Sequence, residues 1–219
     1  MRGRALVPLA ICLIPSVGSA AQVLDWFPLQ VGSRWIYSNF SKSGDPAKPT
    51  VRAWTTIDTV IEHRQIAEGT VVVMGVEQRG MSDGGWLAQR NQSNYLIRGE
   101  CVYALHEGWD ALKLDLTDDY RRQLSSGAAA PDFCFPIETG QRWGNPQDWG
   151  WIAEGYVSSD RPGAAALAGS YRIKCTWNQG PLYVWFKRGT GIMAESYSHN
   201  GTYEEYGRVL KSFVPPKPN

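Results

Sequence analysis

An all-β fold is predicted for this 219-residue chain: an antiparallel curved sheet, half-barrel or sandwich, with one short helical insertion. Three observations predict it. Runs rich in Val, Thr, Ile and aromatic residues recur at hairpin spacing, as β-branched and aromatic side chains suit a pleated, half-buried surface. Gly, Asn and Asp clusters separate those runs, and one nine-residue motif occurs twice.

The first twenty residues read as an export signal. Arg2 and Arg4 open the chain, Ala5 to Val17 is almost wholly apolar, and small residues follow from Gly18 to Ala21. The expected mature chain starts after Ala20 or Ala21, which makes the protein periplasmic or secreted. A retained anchor is the competing reading, but the run falls short of the roughly 20 apolar residues of a bilayer span and contains Pro8 and Pro15. Ile11, before Cys12, stands where a lipoprotein signal carries a small residue, so Cys12 reads as part of the signal. No later segment suits a membrane span, and no integral membrane segment is expected in the mature chain.

Residues 21–214 are expected to form one domain of two related halves. Residues 27–35 read FPLQVGSRW and residues 135–143 read FPIETGQRW, with Phe, Pro, Gly, Arg and Trp at matching places. Proline fixes one dihedral, glycine permits a left-handed one, and the large apolar residues pin the turn to a core. The halves run over about 27–105 and 135–213. Within the first, residues 51–61 read as a strand, and Thr70 to Val76 is Val-dense on both faces, which predicts a strand buried on both sides. Ser82-Asp83-Gly84-Gly85 marks a hairpin, with strands expected at 86–91 and 95–105. In the second half strands are expected at 170–177, 182–187, 191–197 and 203–213, with a turn at Asn178-Gln179-Gly180-Pro181. Residues 215–219 are a tail.

Residues 106–133 interrupt the pattern. Thr117 can cap a helix that begins with Asp118 and Asp119, and Ser125 to Pro131 reads as linker. The segment is expected to be a mobile cover over one end of the sheet. Cys101 and Cys134 flank it and are the candidate disulfide. In Tyr171–Trp177 the odd positions are apolar, so Cys175 is expected to face the core as a free thiol.

Removing the signal lowers the basic count from 22 to 20 against 21 acidic residues, so the mature chain is nearly neutral. With no basic stripe, nucleic acid is excluded as an expected partner. The scattered cysteines and three histidines lack zinc-ligand spacing, so no metal and no cofactor are expected. No Gly-x-Ser-x-Gly elbow, His-Glu-x-x-His helix or phosphate-binding loop is present, and the chain reads as non-catalytic. The candidate ligand-binding residues are Trp149 and Trp151 with Asp148 and Glu154, an aromatic platform edged by carboxylates. Against that, two tryptophans two apart on a strand share one face, as core residues do.

The opening WFPLQVGSRWIY and the late FKRGTGIMAES together resemble a loose group of bacterial exported proteins with a Phe-Pro-Leu-x-x-Gly-x-x-Trp-x-Tyr start and a late Gly-x-Gly lead into a strand, here Gly189-Thr190-Gly191. The resemblance implies export and a β fold, and no activity. Some of these proteins are similar in style to half-barrels that carry lipids or lipoproteins across the periplasm. The expected function is therefore non-catalytic binding or support. An unknown small apolar or aromatic-friendly molecule, held under the 106–133 segment, is the first partner considered. A carbohydrate-binding module taking a glycan, and a hydrolase assembled from distant residues, are the alternatives.

Overall fold

Twelve antiparallel strands wrap into one nearly closed barrel-like sheet in the computed structural model, which describes residues 18–82, 85–106, 108–145, 149–158, 165–177 and 179–217. Up to Val17 the expected signal lies outside the described residues, as do Asp83, Gly84 and Asn178 of the predicted turns. Helix α1 (Gly18–Trp26) leads into a first meander of β1 (Arg34–Asp45), β2 (Lys48–Ile66), β3 (Gly69–Ser82), β4 (Gly85–Arg98) and β5 (Cys101–Ala104). A separate hairpin of β6 (Trp109–Asp110) and β7 (Asp115–Leu116) precedes helix α2 (Asp118–Ser126) and β8 (Phe133–Cys134). The second meander is β9 (Arg142–Asn145), β10 (Trp149–Tyr156), β11 (Tyr171–Trp177), β12 (Gly180–Lys187), β13 (Gly191–Ser198) and β14 (Glu204–Val214). The strands expected separately at 86–91 and 95–105 are one long β4 and a short β5, because the chain turns only at Gly99, where φ is 60°.

The meanders meet at two seams. At one, β1 pairs with β14 along most of its length. At the other, β8 joins β5 and stands across from β9, the far end of the sheet. There the Trp143 indole donates to the Asp132 carbonyl at 2.9 Å and Phe133 lies 5.6 Å from the Trp151 ring. The Cys101–Cys134 disulfide joins β5 to β8. A tie across 33 residues of sequence removes about 3 to 4 kcal/mol of unfolded-chain entropy in the loop-closure model.

Each copy of the repeated motif forms its turn at one of these seams, with the same three hydrogen bonds. Gly32 donates to the Val60 carbonyl, Ser33 to Gln30, and Val60 back to Ser33. Correspondingly, Gly140 donates to Ala153, Gln141 to Glu138, and Ala153 to Gln141. Both glycines have left-handed φ, 93° and 85°, as the turn requires. Phe27, Leu29, Trp35, Phe135, Ile137 and Trp143 are all buried in the main core.

That core fills the interior around α1. Phe186 lies at its centre, with Phe27, Phe133 and Phe135 rings 5.1 to 5.4 Å away, while Trp26 of α1 stacks at 5.9 Å on Phe135. Cys175 is buried in the same cluster, and burial pushes its thiol up to about 12, so it does not form a thiolate nucleophile at neutral pH.

A second, smaller core lies on the other face of β3 and β4. Val72 and Met74 point inward, while Val71, Val73 and Leu96 point outward and are buried by Leu105, Leu116 and Leu124. Here the sequence reading needs a correction. The 106–133 segment is not a cover over an end of the sheet but a packed outer layer, because the alternate valines of a doubly buried strand need apolar partners on that side. Thr117 caps α2, as its Oγ1 accepts from the Tyr120 amide at 3.2 Å. Arg121 pairs with Glu68 at 2.8 Å and with Asp115 at 2.6 Å, and Arg98 donates to the Leu124 carbonyl at 2.9 Å.

Replacing Trp35 by Ala should cost about 3 to 5 kcal/mol of stability, as truncation of a fully buried aromatic does, and Trp143→Ala should fall in the same range. Guanidinium unfolding curves check this; parent-like midpoints for both variants would show that the two turns do not anchor the sheet.

Candidate functional site

The predicted binding residues do not come together as a platform. Trp151 is only 4% exposed, with the Trp143 ring stacked at 6.5 Å on one side and Phe133 at 5.6 Å on another, so it offers no open face to a sugar. Asp148 lies outside the described residues, and Trp149 is described only as the first residue of β10. Glu154 pairs with Arg172 of β11 at 2.7 Å. A small cleft of about 230 Å³ runs beside Trp143 and Trp151, lined also by Arg142, Ile152 and Thr176.

A different constellation forms inside the barrel, where the apolar interior gives way to polar side chains. Along β1 the inward residues are Trp35, Tyr37 and Asn39, all buried. Beside them β2 presents Val60, then Asp58, Thr56 and Trp54, while β3 presents Met74, Val76 and Gln78 and β4 presents Tyr95 and Ser93. Tyr206 and Arg208 come from β14. These residues line a cavity of about 240 Å³ at the end away from the repeated turns.

Charge is concentrated at its floor. Arg208 bridges two carboxylates, one guanidinium nitrogen 3.3 Å from Asp58 Oδ2 and the other 2.5 Å from Glu195 Oε1. Its guanidinium carbon stands 4.5 Å from the centroid of the Tyr37 ring, a cation–π contact that covers one face. The Tyr37 hydroxyl donates to the Ile192 carbonyl at 3.1 Å. Beside the network the Asn39 amide donates to Thr56 Oγ1 at 2.9 Å.

Two carboxylates share one guanidinium, so the buried cluster carries one net negative charge. Such a cluster is expensive to desolvate, and the cost appears as a shifted titration. Burial raises the Asp58 carboxyl to about 6, with the Glu195 charge adding to the rise and Arg208 opposing it. Asp58 is 8% exposed, and its Oδ1 has no hydrogen-bond partner among the described residues. Burial likewise raises the Tyr37 and Tyr95 hydroxyls, which stay protonated at neutral pH.

None of these three charged residues was singled out from the sequence. Asp58 carries a legible signal, since it shares strand parity with Trp54 and Val60. Glu195 and Arg208 carry none, because an extra residue in each strand changes which face they occupy.

By sequence the chain matches no described protein family and no curated relative. Solved structures similar to it include a candidate exported protein with a YmcC-like fold from Bacteroides fragilis, 11% identical, covering 86% of this chain and 98% of that one at a TM-score of 0.44. A candidate lipoprotein from Parabacteroides distasonis is 10% identical, covering 86% and 97%, also at 0.44. A DUF1329 family protein from Desulfovibrio piger is 9% identical, covering 90% and 91%, at 0.25. Among the described residues no helix is long and apolar enough to cross a membrane.

The raised Asp58 value makes a signed prediction. Its folded value of about 6 lies above the ordinary 3.8, so protonation favours the folded chain. The contribution is fully present below about pH 4 and lost as the pH rises through about 6. At about 1.4 kcal/mol per pH unit, the parent should lose about 3 kcal/mol relative to Asp58→Asn between about pH 4 and about pH 7. Urea unfolding of both proteins across that range measures it; parallel curves would place Asp58 in a solvated setting.

Proposed function

We propose that the chain is a non-catalytic, exported binding protein that takes a small polar ligand with an apolar body in the mouth of its barrel. The observation that carries this reading is the buried Asp58 carboxylate, with one unpartnered oxygen in a cavity walled by Trp54, Tyr95 and Tyr206. Small-molecule sites commonly combine apolar or aromatic walls with a few fixed polar groups. The rings supply contact area, and the carboxylate, Thr56 and Ser93 supply direction.

The same geometry weighs against the alternatives. A glycosidase places the scissile bond between two carboxylates, whereas here the Arg208 guanidinium occupies the space between Asp58 and Glu195. A large apolar guest would compete with α1 and the Phe186 cluster for the interior. The 106–133 segment, packed on the outer face, does not lie over the ligand, so the ligand is placed at the opposite surface of β3 and β4 from the one first expected. The signal-like start and the two motifs shared with exported proteins support an extracytoplasmic setting.

Native mass spectrometry of the protein purified from its own host tests the reading. The parent is expected to retain a small adduct that Trp54→Ala loses while keeping its fold by circular dichroism. A bare parent, or an adduct equally retained by Trp54→Ala, would overturn the assignment of the mouth.

A further inference from the structure

Resting on the mouth as the binding site, we propose that its ligand class is a small organic cation, an amine or quaternary ammonium whose charge meets Asp58 and whose apolar body lies against Trp54, Tyr95 and Tyr206.

The charge balance selects the sign. Asp58 and Glu195 contribute two negative charges and Arg208 one positive charge, all inside a partly closed cavity. A cation is the ligand that neutralises the remainder. Arg208 is already committed, with its terminal nitrogens on the two carboxylates and one face over Tyr37. Its Nε has no partner among the described residues, but it belongs to a guanidinium shared by two carboxylates, and an anion approaching it enters a net negative site. Asp58 Oδ1 is the acceptor left over, on a side chain more than nine-tenths buried. A hydrogen bond from an ammonium group to that oxygen is charge-assisted and stronger than one from a hydroxyl.

The walls select the body. Trp54 and Tyr206 lie 6.1 Å apart with ring planes 32° from parallel, forming one continuous aromatic wall. Electron-rich ring faces attract cations, and quaternary ammonium groups are bound in this way by aromatic cages. A bare metal ion fits less well: the described residues bring no three His, Cys, Asp or Glu side chains together, and the positive Arg208 sits on the carboxylates that would ligate it. A cavity of about 240 Å³ limits the guest to a small molecule.

The pH dependence follows from the groups facing Asp58. Tyr37 from β1, Tyr95 from β4, Tyr206 and Arg208 from β14 and Glu195 from β13 surround it, while β3 contributes the non-titrating Met74, Val76 and Gln78. The tyrosines titrate above their ordinary range, so they do not change charge between about pH 5 and about pH 8. Asp58 does, and its protonation removes the charge that the ligand pairs with.

Isothermal titration calorimetry with benzylamine, benzyl alcohol and benzoate reads the three charge states on one apolar body. Benzylamine is expected to bind the full chain saturably near neutral pH, about tenfold more weakly one pH unit below the Asp58 value of about 6 and at least tenfold more weakly in Asp58→Asn. The alcohol and the acid are expected not to bind. The pH arm uses the parent protein and stands even if the variant folds poorly. Benzylamine that fails to bind, or binds Asp58→Asn as tightly as the parent, overturns the cation assignment. Saturable binding of benzyl alcohol or benzoate also overturns it, and if Trp54→Ala abolishes that binding, the mouth survives as a site with a different ligand class.

Discussion

The docking of the N-terminal segment onto the turn before β13 organises this barrel, because it brings the ends of the chain together and fills the interior at once. Phe27 sits edge-on against Phe186, and its ring occupies the space where a side chain at Gly191 would begin. Around that contact Trp35 donates its indole proton to the Thr190 carbonyl at 2.6 Å, Tyr37 reaches the Ile192 carbonyl, and the Gly189 amide donates to Asp25. Asp25 also pairs with Arg188. The two stretches that mark the resemblance to exported proteins, one near each end of the sequence, are thus two sides of one interface. Buried polar groups on both sides find partners, which sets a specific arrangement where apolar packing alone would allow several.

From that interface the rest of the sheet follows. With Trp35 held, β1 is placed to pair with β14 on one side and β2 on the other, and Trp35 stacks on Phe213 at 5.2 Å. Trp26 and Phe186 extend the contact to Phe135, so the second copy of the turn joins the same core at the opposite seam. Filling this end of the barrel with α1 leaves the other end as the place where polar side chains face inward. The charged floor at Asp58, Glu195 and Arg208 is therefore a consequence of how the core is distributed, and its cost is the raised Asp58 titration.

Much of the fold was legible in the residues, and the reasons are local. Alternation exposed the strands, the Val71 to Val73 run exposed a doubly buried one, and the repeated Phe-Pro and Gly-x-Arg-Trp steps marked both turns. The disulfide was legible because Cys101 and Cys134 flank an interruption in the pattern. The outer packing of residues 106–133 was legible only by joining two observations: the valines of β3 need a second partner layer, and that segment supplies Leu116 and Leu124. The site was hidden for a different reason. In β14 both Phe213 and Leu210 pack on the main core, because the register with β1 shifts between Ile36 and Tyr37. Counting by twos from Phe213 would put Arg208 outside; the extra residue turns it inward. A matching shift between β12 and β13 at Trp185/Phe186 turns Glu195 inward after Ile192. Bulges leave no trace in composition, so a polar cluster built on two of them appears only in three dimensions.

The central claim, that the N-terminal segment and the turn before β13 form one organising contact, is tested most directly by comparing Gly191→Ala with Gly189→Ala in reversible unfolding. Both glycines have left-handed φ, 88° and 72°, so both variants carry the backbone strain of a side chain there. Only at Gly191 does the added methyl meet Phe27, 2.6 Å from the ring, while at Gly189 it enters open space. Gly191→Ala should therefore lose about 1 to 3 kcal/mol more than Gly189→Ala, the usual range for overpacking a core. Equal losses would contradict the account, since they would mean that Phe27 gives way freely and is not the anchor of the fold.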